Sequence, residues 1–416
     1  MNIQVMFNVI SVFIIQAYDF NVQSMRQFLI FGGNGFIGFE FLSKILENSS
    51  LESKESDCTS CQPQYHTTLV NRGHSWDWDK LSLLEKYCKS ITRIQWDRKQ
   101  PLKDCGQLVK LFREVQYFTA VVDFSAYSKS TLKESLSFVK GKCSLYIYIS
   151  SDSIYEVCEK RHSGLTRETD AVRPAESSER TRLNRLDKYG HKKLECEELL
   201  AQQEGQPDSV PYVIFRLPDV FGSRDSTQRL WQYLVWMKLC DCFNVPLYVP
   251  EQLTQKSISL VYVCDVASLL VRVIFSDTKS EFYQQMQNQS FNLAASEQIM
   301  IGDLLNFLSE KLGVGGIRIE FSASHDIPLI YPSVNLGPID SSKARRVLSW
   351  QPSVLHNALR ESVQFYQSIM ESDVFSEEKL FCIDEVLDNL KGIYDVEPLR
   401  DRTRCLETLK EMLHVK

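Results

Sequence analysis

The chain has 416 residues, 44% of them hydrophobic and 24% charged, a composition that excludes a disordered or fibrous protein and fits a globular one. Its formal net charge of −6 argues against a nucleic-acid binder, which usually presents a basic face. Twelve cysteines are scattered along a chain long enough to bury a core without disulfide staples, and they read as reduced side chains in a cytoplasmic protein.

In chain order, Val5 to Tyr18 is mostly apolar but is interrupted by Asn8, Ser11 and Gln16. It is shorter than the ~20 residues a bilayer span needs, and no Lys or Arg precedes it as in a secretory signal. Residues 1–25 are therefore set apart as a leader whose role the sequence does not assign, and no membrane partner is expected. The short apolar run Phe28 to Phe31 reads as a buried strand entering a glycine turn, and Phe36 to Leu46 shows apolar residues at helical spacing. A polar insertion follows over Asn48 to Gln64. It holds Cys58 and Cys61, which lack the second cysteine pair a zinc site requires, so no metal is expected. Further strands are expected over Thr67–Asn71, Arg93–Asp97, Phe118–Phe124, Ser144–Ile149 and Tyr212–Leu217. Helices are expected over Leu81–Cys88, Gly106–Glu114 and Thr131–Val139, with one long helix over Arg180–Gln203. Strands alternating with helices imply an α/β fold, a parallel sheet doubly wound by right-handed crossovers. After Gly222 the alternation breaks. Phe291–Ala294 looks like a returning strand, Ile301–Leu312 like an amphipathic helix, and residues 371–416 are charged and helical in pattern.

Three motifs carry chemistry. Gly32, Gly35 and Gly38 lie between a strand and a helix, where glycine allows a tight turn and lets backbone N–H groups and the helix N-terminus approach a pyrophosphate. Tyr189 and Lys193 are four apart on a helix and so face the same way. A neighbouring ammonium is expected to lower the tyrosine from its usual value near ~10. Ser151 follows the fifth strand, at the strand ends where open α/β sheets bind ligands. It could meet a substrate hydroxyl or carbonyl, or it could simply cap the loop.

Together these motifs resemble the extended short-chain dehydrogenases/reductases of the NAD-dependent epimerase/dehydratase type. The phrases are FGGNGFIG at 31–38, YISSDSIYE at 148–156, YGHKKLECEE at 189–198, RLPDVFG at 216–222, VYVCDVA at 261–267 and IDSSKARRVLSWQPS at 339–353. The short stretches VNRG and WDRK are similar to the branch containing chloroplast stem-loop-binding proteins, some of which are linked to RNA. The resemblance implies a Rossmann domain over residues 26–222 with a segment returning near 260–295. A smaller mixed substrate lobe over 223–368 and a helical extension over 369–416 would follow.

The resemblance also implies roles. Gly32, Gly35, Phe36, Ile37 and Gly38 would cradle the dinucleotide phosphates, Asp97 would meet the adenine, and Ser125 and Ala126 would line the cofactor. Ser151, Tyr189 and Lys193 match the catalytic triad, with Tyr189 as general acid/base and Lys193 also reaching the ribose. Pro218 and Val220 would sit near the nicotinamide. Where NAD users place an acid after the second strand, this chain has Arg72, which suits a 2′-phosphate and favours NADP over NAD. Asp219 stands where sugar-nucleotide enzymes of the family hold asparagine, and Pro332 to Ser342 contains no Lys or Arg. A substrate diphosphate would then meet an extra anion, with only Lys256 or Arg224 as cations able to swing in. The expected partner is a small-molecule substrate, with a homodimer allowed and nucleic acid disfavoured. Two classes of function stay open: an oxidoreductase exchanging hydride between NAD(P) and a secondary alcohol or ketone, or a non-catalytic dinucleotide-binding scaffold or sensor.

Overall fold

Residues 25–52, 65–73, 90–324, 327–394 and 401–415 are described by a computed structural model. The leader, the Cys58–Cys61 pair and the expected Leu81–Cys88 helix lie outside them. β1 (Arg26–Phe31), β2 (Tyr65–Asn71), β3 (Ile91–Gln95), β4 (Ala120–Asp123), β5 (Tyr146–Ser151) and β6 (Tyr212–Leu217) join the strand Gln289–Asn292 in one sheet. The order is Gln289–Asn292, β6, β5, β4, β1, β2, β3, and every pair is parallel. The chain winds outward from β1 through β2 to β3, then restarts at β4 on the other side of β1. That reversal opens a crevice beyond the carboxyl ends of β1 and β4, the position at which open α/β sheets take ligands.

Residue alternation in β1 explains why the sheet is covered on both faces. Phe28 and Ile30 enter a core with Phe41 and Ile45 of the helix Phe36–Glu52 and with Val266 and Leu270 of the helix Val263–Ile274. Leu29 and Phe31 enter the opposite core with Leu108, Phe112, Leu132 and Leu200. A strand apolar on both faces is what a parallel sheet between two helical layers requires.

A second body of core lies beyond β6. The helix Arg229–Phe243 buries Trp231 and Trp236 against the helices Ile301–Leu312 and Leu355–Met370. The segment expected as a charged extension also belongs here. Its helices Ser376–Asn389 and Arg402–Met412 add Ile383, Val386 and Leu409 to the same core. Lys379 is fully buried there, and its ammonium donates to the carbonyls of Ser372 and Leu413, the latter at 2.7 Å. Two short strands, Asp219–Phe221 and Leu260–Tyr262, pair in parallel and link this body to the sheet. Among the described residues no helix is long and apolar enough to cross a membrane.

Candidate functional site

One cleft of about 1310 Å³ occupies the crevice. It is lined by the glycine turn, by Arg72, Asp97 and Ser125, by Ser151, Tyr189 and Lys193, and by Pro218 and Val220. Residues drawn from seven separate stretches of sequence thus share one cleft. Ala126 is the exception: it is fully buried behind the wall and meets the site only through its carbonyl.

The three glycines of the turn do different things. Gly32 has φ +80°, a left-handed backbone that side chains rarely adopt, and its N–H donates to the Val70 carbonyl at 3.0 Å. At Gly38 a Cβ would stand 2.5 Å from the Gly32 oxygen and 2.7 Å from the Gly33 Cα, so the helix closes on the turn only without a side chain there. Gly35 differs. A Cβ there would meet one atom, the Gly32 oxygen, at an ordinary 3.4 Å, and its φ is not positive. No described residue demands glycine at 35. Its bare backbone lines the cleft just before the helix that starts at Phe36 and Ile37, which is the fit a phosphate group needs.

Past β2, Arg72 is exposed and makes no ion pair among the described residues, while its carbonyl accepts from Gln95 Nε2 at 3.2 Å. Asp97 lies half-buried in a turn after β3 and accepts from Lys99 N at 3.0 Å. Its neighbour Arg98 is a residue the motifs did not reveal. Its guanidinium forks onto Asp123 at 2.5 and 3.0 Å, reaches Ser125 Oγ at 2.9 Å and Ser135 Oγ at 2.6 Å, and lies 4.1 Å from the centre of the Phe31 ring. Burial alone would raise the Asp123 carboxyl. The Arg98 charge, with hydrogen bonds from Arg98, Tyr146 and the Ser125 backbone, outweighs burial and holds it below its usual value. Asp123 Oδ1 also accepts from the backbone of Ser125 at 3.0 Å and Ala126 at 2.8 Å, so this ion pair sets the loop that lines the cleft after β4. The signal was present in sequence: an aspartate closing the apolar run Ala120–Asp123 needs a buried partner.

The expected long helix over Arg180–Gln203 is two helices, Ser177–Leu186 and Lys188–Gln202. Asp187 divides them and caps the second, accepting from Gly190 N at 2.8 Å. At Gly190 a Cβ would lie 2.1 Å from the Ser153 carbonyl oxygen, so the glycine beside Tyr189 lets this helix press against the turn Asp152–Val157 that follows β5. Strand β5 itself runs two residues later than expected and includes Ser151.

Lys193 is 2% exposed. Its Nζ donates to the carbonyls of Ile149 at 2.8 Å and Ala126 at 3.3 Å, which ties the ends of β5 and the β4 loop together. Burial lowers the ammonium from 10.5 to about 8. Tyr189 is 45% exposed, its ring 5.9 Å from Lys193 Nζ and 6.4 Å from the Tyr127 ring. Its phenol is raised above the usual tyrosine value, by burial first and then by Tyr127, Asp152 and Asp187. The expected lowering by Lys193 is thereby corrected: burial raises the phenol, and the ammonium makes its hydrogen bonds to carbonyls. Ser151 Oγ caps the turn, accepting from Ser153 N at 3.2 Å and donating toward Asp152 Oδ1 at 3.3 Å. No hydrogen bond joins Ser151, Tyr189 and Lys193 to one another.

The charge of Asp219 is also corrected. The carboxylate is 2% exposed, paired with Arg229, and accepts from Ser333 N at 2.8 Å. It is not a lone anion facing the substrate space. Lys256 reaches the Val334 carbonyl at 3.1 Å, a contact that occupies it. Behind Ser151, burial and then the nearby Asp219 push the Asp152 carboxyl well above the usual range.

Residues 114–288 match the family described as NAD dependent epimerase/dehydratase. That stretch, less than half of the chain, is similar to the family's domain. The match includes β4, Ser151, Tyr189, Lys193 and β6, and it begins after the glycine turn. Solved structures share the architecture around that domain. One is UDP-glucuronic acid 4-epimerase from Bacillus cereus in complex with UDP-glucuronic acid and NAD. It has 20% identity and a TM-score of 0.58, covering 82% of this chain and 99% of that one. Another is dTDP-glucose 4,6-dehydratase from Bacillus anthracis in complex with NAD, with 16% identity and a TM-score of 0.58 over 82% and 97%. UDP-glucose 4-epimerase from Thermotoga maritima with UDP-glucose has 17% identity and a TM-score of 0.58 over 83% and 100%. At these identities the likeness is one of fold, and the fold is a Rossmann-like parallel sheet flanked by helices. No curated protein matches the sequence significantly.

Proposed function

We propose that this protein binds a nicotinamide dinucleotide in the cleft and acts as an oxidoreductase of the epimerase/dehydratase kind, exchanging hydride with a secondary alcohol or ketone. The observation that carries the reading is Gly35, a glycine that packing does not require, opening on the same cleft as Tyr189 and Lys193. The bound cofactor supplies the hydride acceptor or donor. Backbone around Gly32, Gly35, Phe36, Ile37 and Gly38 holds the pyrophosphate, and Asp97 meets the adenine. Arg72 meets a 2′-phosphate, which selects NADP. Ser125 lines the nucleotide, Ala126 supports it from behind, and Pro218 and Val220 shape the nicotinamide end. Lys193, already braced by two carbonyls, turns its remaining donor to the ribose. Tyr189 gives or takes the substrate proton, and Ser151 orients the substrate oxygen.

The phenol of Tyr189, held above its usual value, is protonated at neutral pH, the form a proton donor to a carbonyl must have. Its proton becomes easier to give only if the bound cofactor brings the value down. The pairing of Asp219 with Arg229 removes the charge objection to a diphosphate substrate, so sugar nucleotides belong in a substrate panel beside simple carbonyl compounds. The test is fluorescence titration with NADPH and NADH, followed by turnover on that panel. A folded protein that binds neither cofactor refutes the reading. A second reading, a non-catalytic dinucleotide sensor, is favoured by the capping bond that engages Ser151. Cofactor binding without turnover on any alcohol or ketone would select it.

A further inference from the structure

Among the described residues, seven Lys and Arg side chains line the cleft: Arg72, Arg98, Lys99, Lys192, Lys193, Arg224 and Arg229. Arg98 is held by Asp123, Arg229 by Asp219, and Lys193 by two carbonyls. Arg72, Lys99 and Lys192 are exposed, where water satisfies them. Arg224 is the remaining case. It is half-buried, yet among the described residues it makes no hydrogen bond and no ion pair. Its guanidinium carbon lies 5.4 Å from the centre of the Phe39 ring and 5.2 Å from that of Phe365. The rings restrain the planar group but provide no acceptor for its N–H donors.

The backbone beneath it is also set in advance. Arg224 has φ +67°, a left-handed conformation that a side-chain-bearing residue keeps only when its surroundings over-determine it. The surroundings do so. The Tyr366 hydroxyl donates to the Gly222 carbonyl at 3.0 Å and accepts from Asp225 N at 3.0 Å, clasping the loop on both sides of Arg224. Asp225 in turn accepts from Thr227 N and Oγ1, each at 2.8 Å. Phe39 places the guanidinium. It lies one turn into the helix that begins at Phe36, and its N–H bonds to the Gly35 carbonyl at 2.8 Å. An arginine side chain resting on that ring is within reach of the helix start.

We propose that Arg224 is a phosphate-binding residue of the cleft, a preset guanidinium that joins the helix N-terminus in holding the dinucleotide pyrophosphate. The proposal rests on the dinucleotide reading above, and it adds a cation supplied from outside the glycine motif. A strained backbone, a restrained planar fork and a missing acceptor together describe a donor set waiting for an anion.

The experiment uses the full chain. NADPH and NADH are titrated by fluorescence, and ADP-ribose and UDP by calorimetry, against wild type, Arg224→Gln, Arg224→Lys and Arg224→Gly. Arg224→Gln and Arg224→Gly are expected to weaken ADP-ribose and both dinucleotides by roughly ten- to a hundredfold, with Arg224→Lys in between. Arg224→Gly also removes the left-handed strain, so its melting temperature stays level or rises while affinity falls, a split that a merely structural arginine would not give. ADP-ribose affinity unchanged in all three variants, with wild type binding NADPH or NADH, overturns the clamp and leaves the cofactor reading standing. Loss confined to UDP assigns Arg224 to a substrate phosphate and overturns the assignment to the dinucleotide. A wild type that binds neither NADPH nor NADH removes both proposals together.

Discussion

Valine at position 35 separates cofactor binding from folding. The first atom of the new side chain would sit 3.4 Å from the Gly32 oxygen, an ordinary contact, and the remaining methyl groups would extend into the cleft. Gly35 directly precedes the helix, and its carbonyl accepts the first helical bond from Phe39 N at 2.8 Å. Replacing glycine at such a position costs up to about 1 kcal/mol. Binding suffers more. The methyl groups would hold a phosphate away from the backbone donors, and each lost charge-assisted hydrogen bond is worth about 1.5–3 kcal/mol, roughly ten- to a hundredfold in affinity. Gly35→Val should therefore melt within a few degrees of wild type and bind NADPH at least about tenfold more weakly. Gly38→Ala is the opposite control. Its methyl would stand 2.5 Å from the Gly32 oxygen, so it should lose stability before binding can be measured. Fluorescence titration paired with thermal melts reads both variants. A folded Gly35→Val with wild-type affinity refutes the reasoning, because it would mean no ligand approaches the turn.

Tyr189→Phe should lower kcat by about 10²–10⁴ with cofactor affinity nearly unchanged, and wild-type turnover in that variant would remove Tyr189 from the chemistry. Arg72→Ala should weaken NADPH about ten- to a hundredfold and NADH little, as measured by parallel titrations, and equal losses would detach Arg72 from the 2′-phosphate. Asp225 makes a prediction about pH. Burial, offset in part by bonds from Thr227, raises its carboxyl from 3.8 to about 6. Between those values the folded state binds more proton than the unfolded one, so stability falls as pH rises from about 4 to about 6, by a total on the order of 3 kcal/mol. Urea melts of Asp225→Asn should show that slope removed and higher stability at pH 7, and a variant less stable than wild type at pH 7 contradicts the assignment.

Much of the fold was legible because its signals are local. The helices Gly106–Glu114 and Ile301–Leu312 and strand β6 have the limits their residue patterns imply, and the glycine turn sits where an apolar strand meets a helix. Limits were misplaced where a side chain overrode the periodicity. Asp187 breaks one apparent helix into two by capping the second, and the serines at 150 and 151 continue a strand despite their polarity. In the site, spacing put Tyr189 and Lys193 on one helix face but could not reveal which carbonyls would take the ammonium. Those acceptors come from Ala126 and Ile149, far away in sequence. The pairs Arg98–Asp123 and Arg229–Asp219 were hidden for the same reason, since a charge says that a partner is needed and not where the fold will bring it.

The core beyond β6 draws on residues from Phe221 to Leu413, and Lys379 finds an acceptor in the Leu413 carbonyl. The sheet depends on distant chain as well, since β1 pairs with β4 and packs under the helix Val263–Ile274. Both bodies thus have high contact order, and contacts between distant positions form slowly. Trp231 and Trp236 therefore stay wet until the last helices dock. Substitutions at Leu409 or Leu413, remote from the cleft, should act first as aggregation and yield defects, long before any effect on chemistry can be read.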